Sequence, residues 1–114
     1  MRNFSFFILL SLLITGCQTT QTLPVLEKKQ SQYFHDAQKA YKDGNYAVAL
    51  ENWQTIAYHG HTEAAYRLAN MYRFAEGVQK NDERIAYWFQ VAAERGHAIA
   101  QLRLSELLEN GKGI

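Results

Sequence analysis

Cysteine occurs once in these 114 residues. No intrachain disulfide can form, which excludes the small scaffolds that staple each unit with one. Proline also occurs once, as Pro24, ahead of the region that reads as folded. Neither sign of charge predominates: 12 Lys and Arg stand against 11 Asp and Glu, a formal net charge of +1. The broad basic field that nucleic acid or an anionic surface demands is missing, so nucleic acid is not expected as a partner. No segment alternates apolar and polar residues over a useful length, which removes the signal for a β-sheet. The apolar run from Phe4 to Leu13 is too short for a bilayer-spanning helix, which needs roughly 20 residues.

What the chain does have is internal repetition. Ala57-x-x-Gly60-His61 recurs 36 residues later as Ala93-x-x-Gly96-His97. The same offset carries Ala64, Arg67 and Leu68 onto Ala100, Arg103 and Leu104, and Gly77-Val78 onto Gly113-Ile114. Self-similarity at a period of about 20–50 residues marks a repeat array. Arrays of this kind present extended concave surfaces and seldom a catalytic cleft.

The spacing of apolar residues predicts about five helices. Phe34, Ala37, Ala40 and Tyr41 recur at three- and four-residue steps, and Asp43-Gly44-Asn45 supplies the break. Ala49, Leu50, Trp53, Ile56 and Ala57 line a second helix that ends at Gly60. Thr62 is placed to cap a third, with Ala65, Leu68, Ala69 and Tyr72 inward. After a loop from Ala75 to Lys80, Asn81 or Asp82 caps a fourth, lined by Ile85, Ala86, Phe89, Ala92 and Ala93 with Trp88 nearby. A fifth runs from about Ala98 to Asn110 with Leu104, Leu107 and Leu108 apolar. Helices joined by short loops are antiparallel neighbours, and alanine at their contacts lets the axes approach. The expected fold is therefore all-α, a short right-handed α-solenoid of antiparallel helix pairs.

The N-terminal segment is a different object. Arg2 begins it, an apolar run of about ten residues follows, and small residues precede Cys17, as in a secretory signal. Ile14-Thr15-Gly16-Cys17 resembles the lipobox of bacterial lipoproteins, which reads aliphatic, small, small, Cys. The resemblance implies cleavage after residue 16 and lipidation of Cys17, which anchors the chain to a membrane. Gln18 follows, where many lipoproteins kept at the inner membrane have Asp. This leans towards the outer membrane of a bacterial envelope, facing the periplasm. Residues 1–16 are then signal, 17–30 a lipidated tether, and 31–114 the helical domain. Loss of the signal removes Arg2 and no acid, which leaves the mature chain formally neutral.

Residues 62–97 resemble one complete Sel-one-like repeat, a branch of the tetratricopeptide-like superfamily. The resemblance is carried by Ala65, Leu68-Ala69, Met71-Tyr72, Gly77-Val78, Asp82, Ala86, Trp88-Phe89 and Ala92-Ala93-x-x-Gly96. Residues 98–114 match the first half of another unit through Ala100, Leu104-Ser105, Leu107-Leu108, Gly111 and Gly113-Ile114. Residues 31–61 look more like a plain tetratricopeptide unit, through Ala37, Tyr41, Gly44-Asn45-Tyr46, Ala49-Leu50, Trp53 and Ala57. Ala69 and Ser105 replace the helix glycine of the pattern, and Ala75 the first loop glycine.

The family likeness implies a scaffold or adaptor for other envelope proteins. It also admits an assembly factor for an export or polysaccharide secretion machine, or a truncated gene product. The first helix of each pair lines the concave wall in such solenoids. That puts Arg67 and Arg103, at one repeat slot, on the partner-facing side with Tyr66 and Asn70. No enzyme is expected, because no nucleophile is presented with a base: Ser105 occupies a packing slot, and Asp82-Glu83 opens a helix where acids are favoured. His59, His61 and His97 lack the companion ligands of a closed metal site. Neither metal nor cofactor is implied.

Overall fold

The computed structural model describes residues 26–112. The chain divides into two units, residues 1–31 and 32–114. Of the first, only residues 26–31 are described, and all are helical. Cys17, the lipobox and the signal segment lie outside the described residues, as do Gly113 and Ile114.

Five helices make up the described chain, with no strand among the described residues. Helix α1 covers residues 26–42, so residues 26–30, read above as tether, are already helical. It is followed by α2 (Tyr46–Tyr58), α3 (Thr62–Arg73), α4 (Asp82–Glu94) and α5 (Ala98–Glu109). Each of α3, α4 and α5 packs on the helix before it, the nearest-neighbour order of a helical repeat array. The all-α repeat architecture expected from the 36-residue period is thus what forms.

The core follows the apolar pattern. Ala37, Ala49, Ala64, Ala65, Ala69 and Ala92 are fully buried at helix contacts, where a larger side chain would push the axes apart. Trp53, Ile56, Leu68, Met71, Ile85, Trp88 and Phe89 fill the space between them. Trp53 and Phe89 hold the same repeat slot and are each 1% exposed. Phe34 and Tyr41 of α1 close over the Trp53 ring at centroid distances of 6.3 and 5.5 Å. Met71 and Ala64, not among the residues expected to face inward, are also core.

Helix α5 is the least buried of α2–α5: only Ala100 is fully covered. Leu104 and Leu107 pack partly against the core, while Leu108, Ile99 and Leu102 are exposed. The comparison with α3 gives the reason. Ala65, Leu68 and Ala69 of α3 are buried, and α4 packs on that helix. Their counterparts Gln101, Leu104 and Ser105 have no following helix among the described residues, and two of the three are polar.

The capping of α3 differs from expectation. Thr62 is its first helical residue, and the cap is His61, whose Nδ1 accepts from the Ala64 backbone N–H at 3.1 Å. One repeat later His97 does the same for α5, with Nδ1 3.2 Å from the Ala100 N–H. The imidazole takes the role that a serine or asparagine oxygen usually has. Each ring is held flat by an aromatic of the preceding first helix. Phe34 stacks on His61 at 4.8 Å, and Tyr66 on His97 at 4.3 Å. Asn45 and Asn81 cap α2 and α4 in the ordinary way.

A ring nitrogen that accepts a hydrogen bond carries no proton, so both caps require Nδ1 to be bare. Burial holds the His61 pKa below its usual 6.5, against an opposing pull from Glu63. The unfolded chain therefore takes up this proton first as pH falls. The stabilising contribution of His61 is complete above about pH 6.5 and is lost as pH drops from there towards its folded pKa. His61→Asn keeps a capping oxygen and removes the titration. Its stability relative to the parent is expected to rise between pH 7.5 and 5 in parallel denaturant titrations. His61→Ala should cost about 1 kcal/mol at pH 7.5 through the lost cap.

Candidate functional site

Two clefts open on the side of the first helices. The first, of about 120 Å³, is lined by Tyr41, Trp53, Arg67, Asn70, Met71, Phe74 and Glu76. The second, of about 180 Å³, lies between α3, the start of α4 and α5, with Phe89, Arg103, Glu106, Leu107, Asn110 and Lys112 among its walls. Every residue lining the first cleft except Tyr41 maps onto a residue lining the second by the 36-residue offset. Trp53 becomes Phe89, Arg67 becomes Arg103, Asn70 becomes Glu106, Met71 becomes Leu107, Phe74 becomes Asn110, and Glu76 becomes Lys112. One architectural feature has thus been built twice, with a large ring of the second helix at its base.

The expected partner residues divide between these clefts. Arg67 and Asn70 line the first, and Arg103 lines the second. Tyr66 lines neither; its ring stacks on His97 and lies 6.0 Å from Phe89, half-buried. Arg67 is aimed by Glu63, whose Oε1 accepts from Nε at 2.9 Å one helical turn away. The other oxygen of Glu63 accepts from His97 Nε2 at 2.9 Å. That direction follows from the bare Nδ1 of His97, which leaves its proton on Nε2. Glu63 therefore ties the cap of α5 to the arginine of the first cleft. Arg103 is oriented by Glu106 at 2.9 Å.

The clefts differ in charge. In the first, Glu76 opposes Arg67 and accepts a hydrogen bond from the Tyr41 hydroxyl, which together with burial pushes the Tyr41 pKa up to about 12. That cleft is lined by equal charge of each sign. In the second, Arg73, Lys80, Arg103 and Lys112 face only Asp82 and Glu106. The reversal from Glu76 to Lys112 at one slot accounts for much of the contrast. Arg73 also lies over the Phe74 ring, 5.0 Å from its centroid, and so borders both clefts.

The sequence reading missed Phe74, Glu76, Lys80 and Lys112, which belong to loops and a helix end. Applying the 36-residue offset to 74 and 76 would have flagged the slots without showing that they line a cleft. Their placement depends on how the loop after α3 folds. Ala75 there has φ +53, a left-handed value that costs a non-glycine residue about 1–2 kcal/mol. This is the position where the repeat pattern has glycine, so that replacement is less innocent than its size suggests.

Two of the histidines singled out in the sequence have structural roles. His61 and His97 cap helices, and no group of three His, Cys, Asp or Glu is placed to hold a metal among the described residues. Ser105 is exposed on α5, and Asp82 and Glu83 lie in the first turn of α4.

Comparison with known proteins agrees with the repeat fold. The profile of the Sel1 repeat matches residues 62–97 and 98–114. An exopolysaccharide production negative regulator of Rhizobium meliloti (strain 1021) is 37% identical over 57 residues, covering 50% of this chain. The chain spans only 21% of that relative's length. Residues 62–114 thus carry Sel1-type repeat sequence, one full unit in α3–α4 and a partial unit that includes α5.

Proposed function

We propose that this chain is a lipid-anchored envelope protein that scaffolds other proteins through the wall formed by its first helices. The observation that carries the reading is the duplicated cleft, with Arg67 and Arg103 at one repeat slot. Sel1 repeats are protein-interaction modules, and the cleft volumes suit inserted side chains. Sites for drug-sized ligands are larger, about 300–1,000 Å³. The chain presents a surface and acts without catalysing a reaction.

The anchor rests on Ile14-Thr15-Gly16-Cys17 behind its apolar segment. No helix among the described residues is long and apolar enough to cross a membrane, so attachment would rest on the lipid at Cys17. Acyl chains in the number lipoproteins carry are ample, since two signals already give stable attachment. The residue after the cysteine, Gln18, favours the outer membrane. A second reading is a role in controlling or assembling an exopolysaccharide system, favoured by the name of the Rhizobium relative.

Both halves of the proposal are testable together. Fatty-acid labelling in cells should mark the wild-type chain and leave Cys17→Ser unlabelled and unprocessed. Envelope proteins captured by the wild type should be lost with Arg67→Glu plus Arg103→Glu at unchanged helicity. An unlabelled, soluble wild-type chain would remove the anchor. Undiminished capture by the double variant would remove this face.

A further inference from the structure

The two clefts have one architecture and different chemistry, and a single bound segment crossing both would read that difference in order. Four cations and two acids line the second cleft. One cation, Arg103, is already matched by Glu106 at 2.9 Å. Lys80 and Lys112 are exposed at its rim, on flexible stems that can reach a ligand. Its base is apolar, formed by Ile85, Phe89 and Leu107. The first cleft is balanced in charge and offers an exposed apolar ring, Phe74, at 59% exposure. Trp53 beneath it is 1% exposed, and its Nε1 has no hydrogen-bond partner.

We infer that the partner is an extended protein segment whose acidic side chains enter the second cleft and whose neighbouring apolar side chain covers Phe74 in the first. This rests on the reading of the first-helix wall as the interaction surface and adds the class of partner. The charge argument is specific to position. The chain as a whole is nearly neutral, so attraction of an acid is confined to where Arg73, Lys80 and Lys112 converge. Like-charged or basic segments meet uncompensated cations there and are rejected, which gives register and selectivity more than raw affinity. Packed helices lie about 8–10 Å apart, so the step from one first helix to the next is at most about 20 Å. An extended chain covers that in about six residues. Acid and apolar side chains about six residues apart, or fewer, therefore meet both sites at once.

The test uses the purified full chain, in a zwitterionic detergent for the peptides and with the detergent dialysed away for the vesicles, with amide and side-chain NMR shifts as readout. Three probes are compared: a 12-residue peptide of glutamates with leucines and one phenylalanine, the same peptide with lysine for every glutamate, and phosphatidylglycerol vesicles. The acidic peptide is expected to shift Lys80, Arg103, Lys112 and Phe74 together. Its affinity should fall about tenfold or more in Lys80→Glu plus Lys112→Glu, and fall with added salt. Both lysines are exposed, so the variant should keep its helicity. Lys28→Glu plus Lys29→Glu makes the same change in net charge outside both clefts, and should leave binding unchanged. Equal loss in that control would overturn the inference, because the attraction would be global. Tighter binding of the lysine peptide at the same residues would overturn the acidic partner and leave the face standing. Vesicles shifting those residues while the acidic peptide does not would replace the protein segment with a lipid headgroup. Shifts from the peptides confined to the second helices would overturn both the inference and the reading beneath it.

Discussion

Trp53→Ala is expected to lower the unfolding free energy by about 3–5 kcal/mol. The ring is 1% exposed and is enclosed by Phe34 and Tyr41 from α1. Those two residues join α1 to α2, and Trp53 also borders α3, so the cavity would open at the junction of three helices. Domains of this size have only about 5–15 kcal/mol to lose. The variant should therefore be marginal or unfolded by thermal melting followed in the far ultraviolet. Trp53→Phe provides the contrast. It discards the indole N–H that is buried without a partner, an arrangement that costs about 1–3 kcal/mol. It also reproduces the ring that the next repeat has at Phe89. The recovered desolvation offsets much of the lost volume, so this variant should lie within about 1.5 kcal/mol of its parent. A Trp53→Ala protein as stable as the parent would contradict the packing described for α1–α3.

Gly77→Ala is expected to be the most damaging loop substitution, at about 2–4 kcal/mol. Two effects add. Gly77 has φ +72, and a Cβ built there would lie 2.6 Å from Cβ of Tyr46 at the start of α2. The second contact involves an atom fixed to the backbone, so no rotamer change relieves it. Either the loop lifts from α2 or α2 shifts against α3. Gly96 separates the two effects, because its φ is +90 and nothing lies within 4 Å of the added atom. Gly96→Ala should then cost only the left-handed penalty, about 1–2 kcal/mol. Denaturant midpoints of the two variants at matched slopes measure the difference. Equal losses would show that the loop does not bear on Tyr46.

Lifting that loop should also disturb the first cleft, since Phe74 and Glu76 belong to it. This coupling explains which parts of the molecule were readable from sequence. The helices were, because Ala37, Trp53, Leu68 and Phe89 recur at helical steps and burial follows that period directly. The equivalence of Trp53 with Phe89, and of Arg67 with Arg103, followed from the offset alone. The histidine caps were not, because the usual cap chemistry pointed to Thr62. The informative feature was that Gly60-His61 and Gly96-His97 repeat as pairs. The cleft walls at Phe74, Glu76, Lys80 and Lys112 were not readable either. Their position depends on a loop that Gly77 brings against Tyr46 of a neighbouring helix, a contact that no local pattern encodes.

The charge contrast between the clefts was present in the sequence as Glu76 and Lys112. It acquired meaning only when both residues were found at the same slot of a duplicated cleft. The opposite case is Tyr66, read as a contact residue from its residue type and helix. Its face is occupied by His97, so it supports the cap of α5 and stands outside either cleft.

The central claim is that partners bind the wall of the first helices. Site-specific photocrosslinking in cells tests it most directly, with a photoreactive residue placed singly in the full chain. Asn70 and Glu106 share one slot and line the two clefts, whereas Glu51 and Tyr87 share another and are exposed on the second helices. Adducts to envelope proteins are expected from positions 70 and 106, and none from 51 and 87. Adducts from 51 and 87 with none from 70 and 106 would contradict the account.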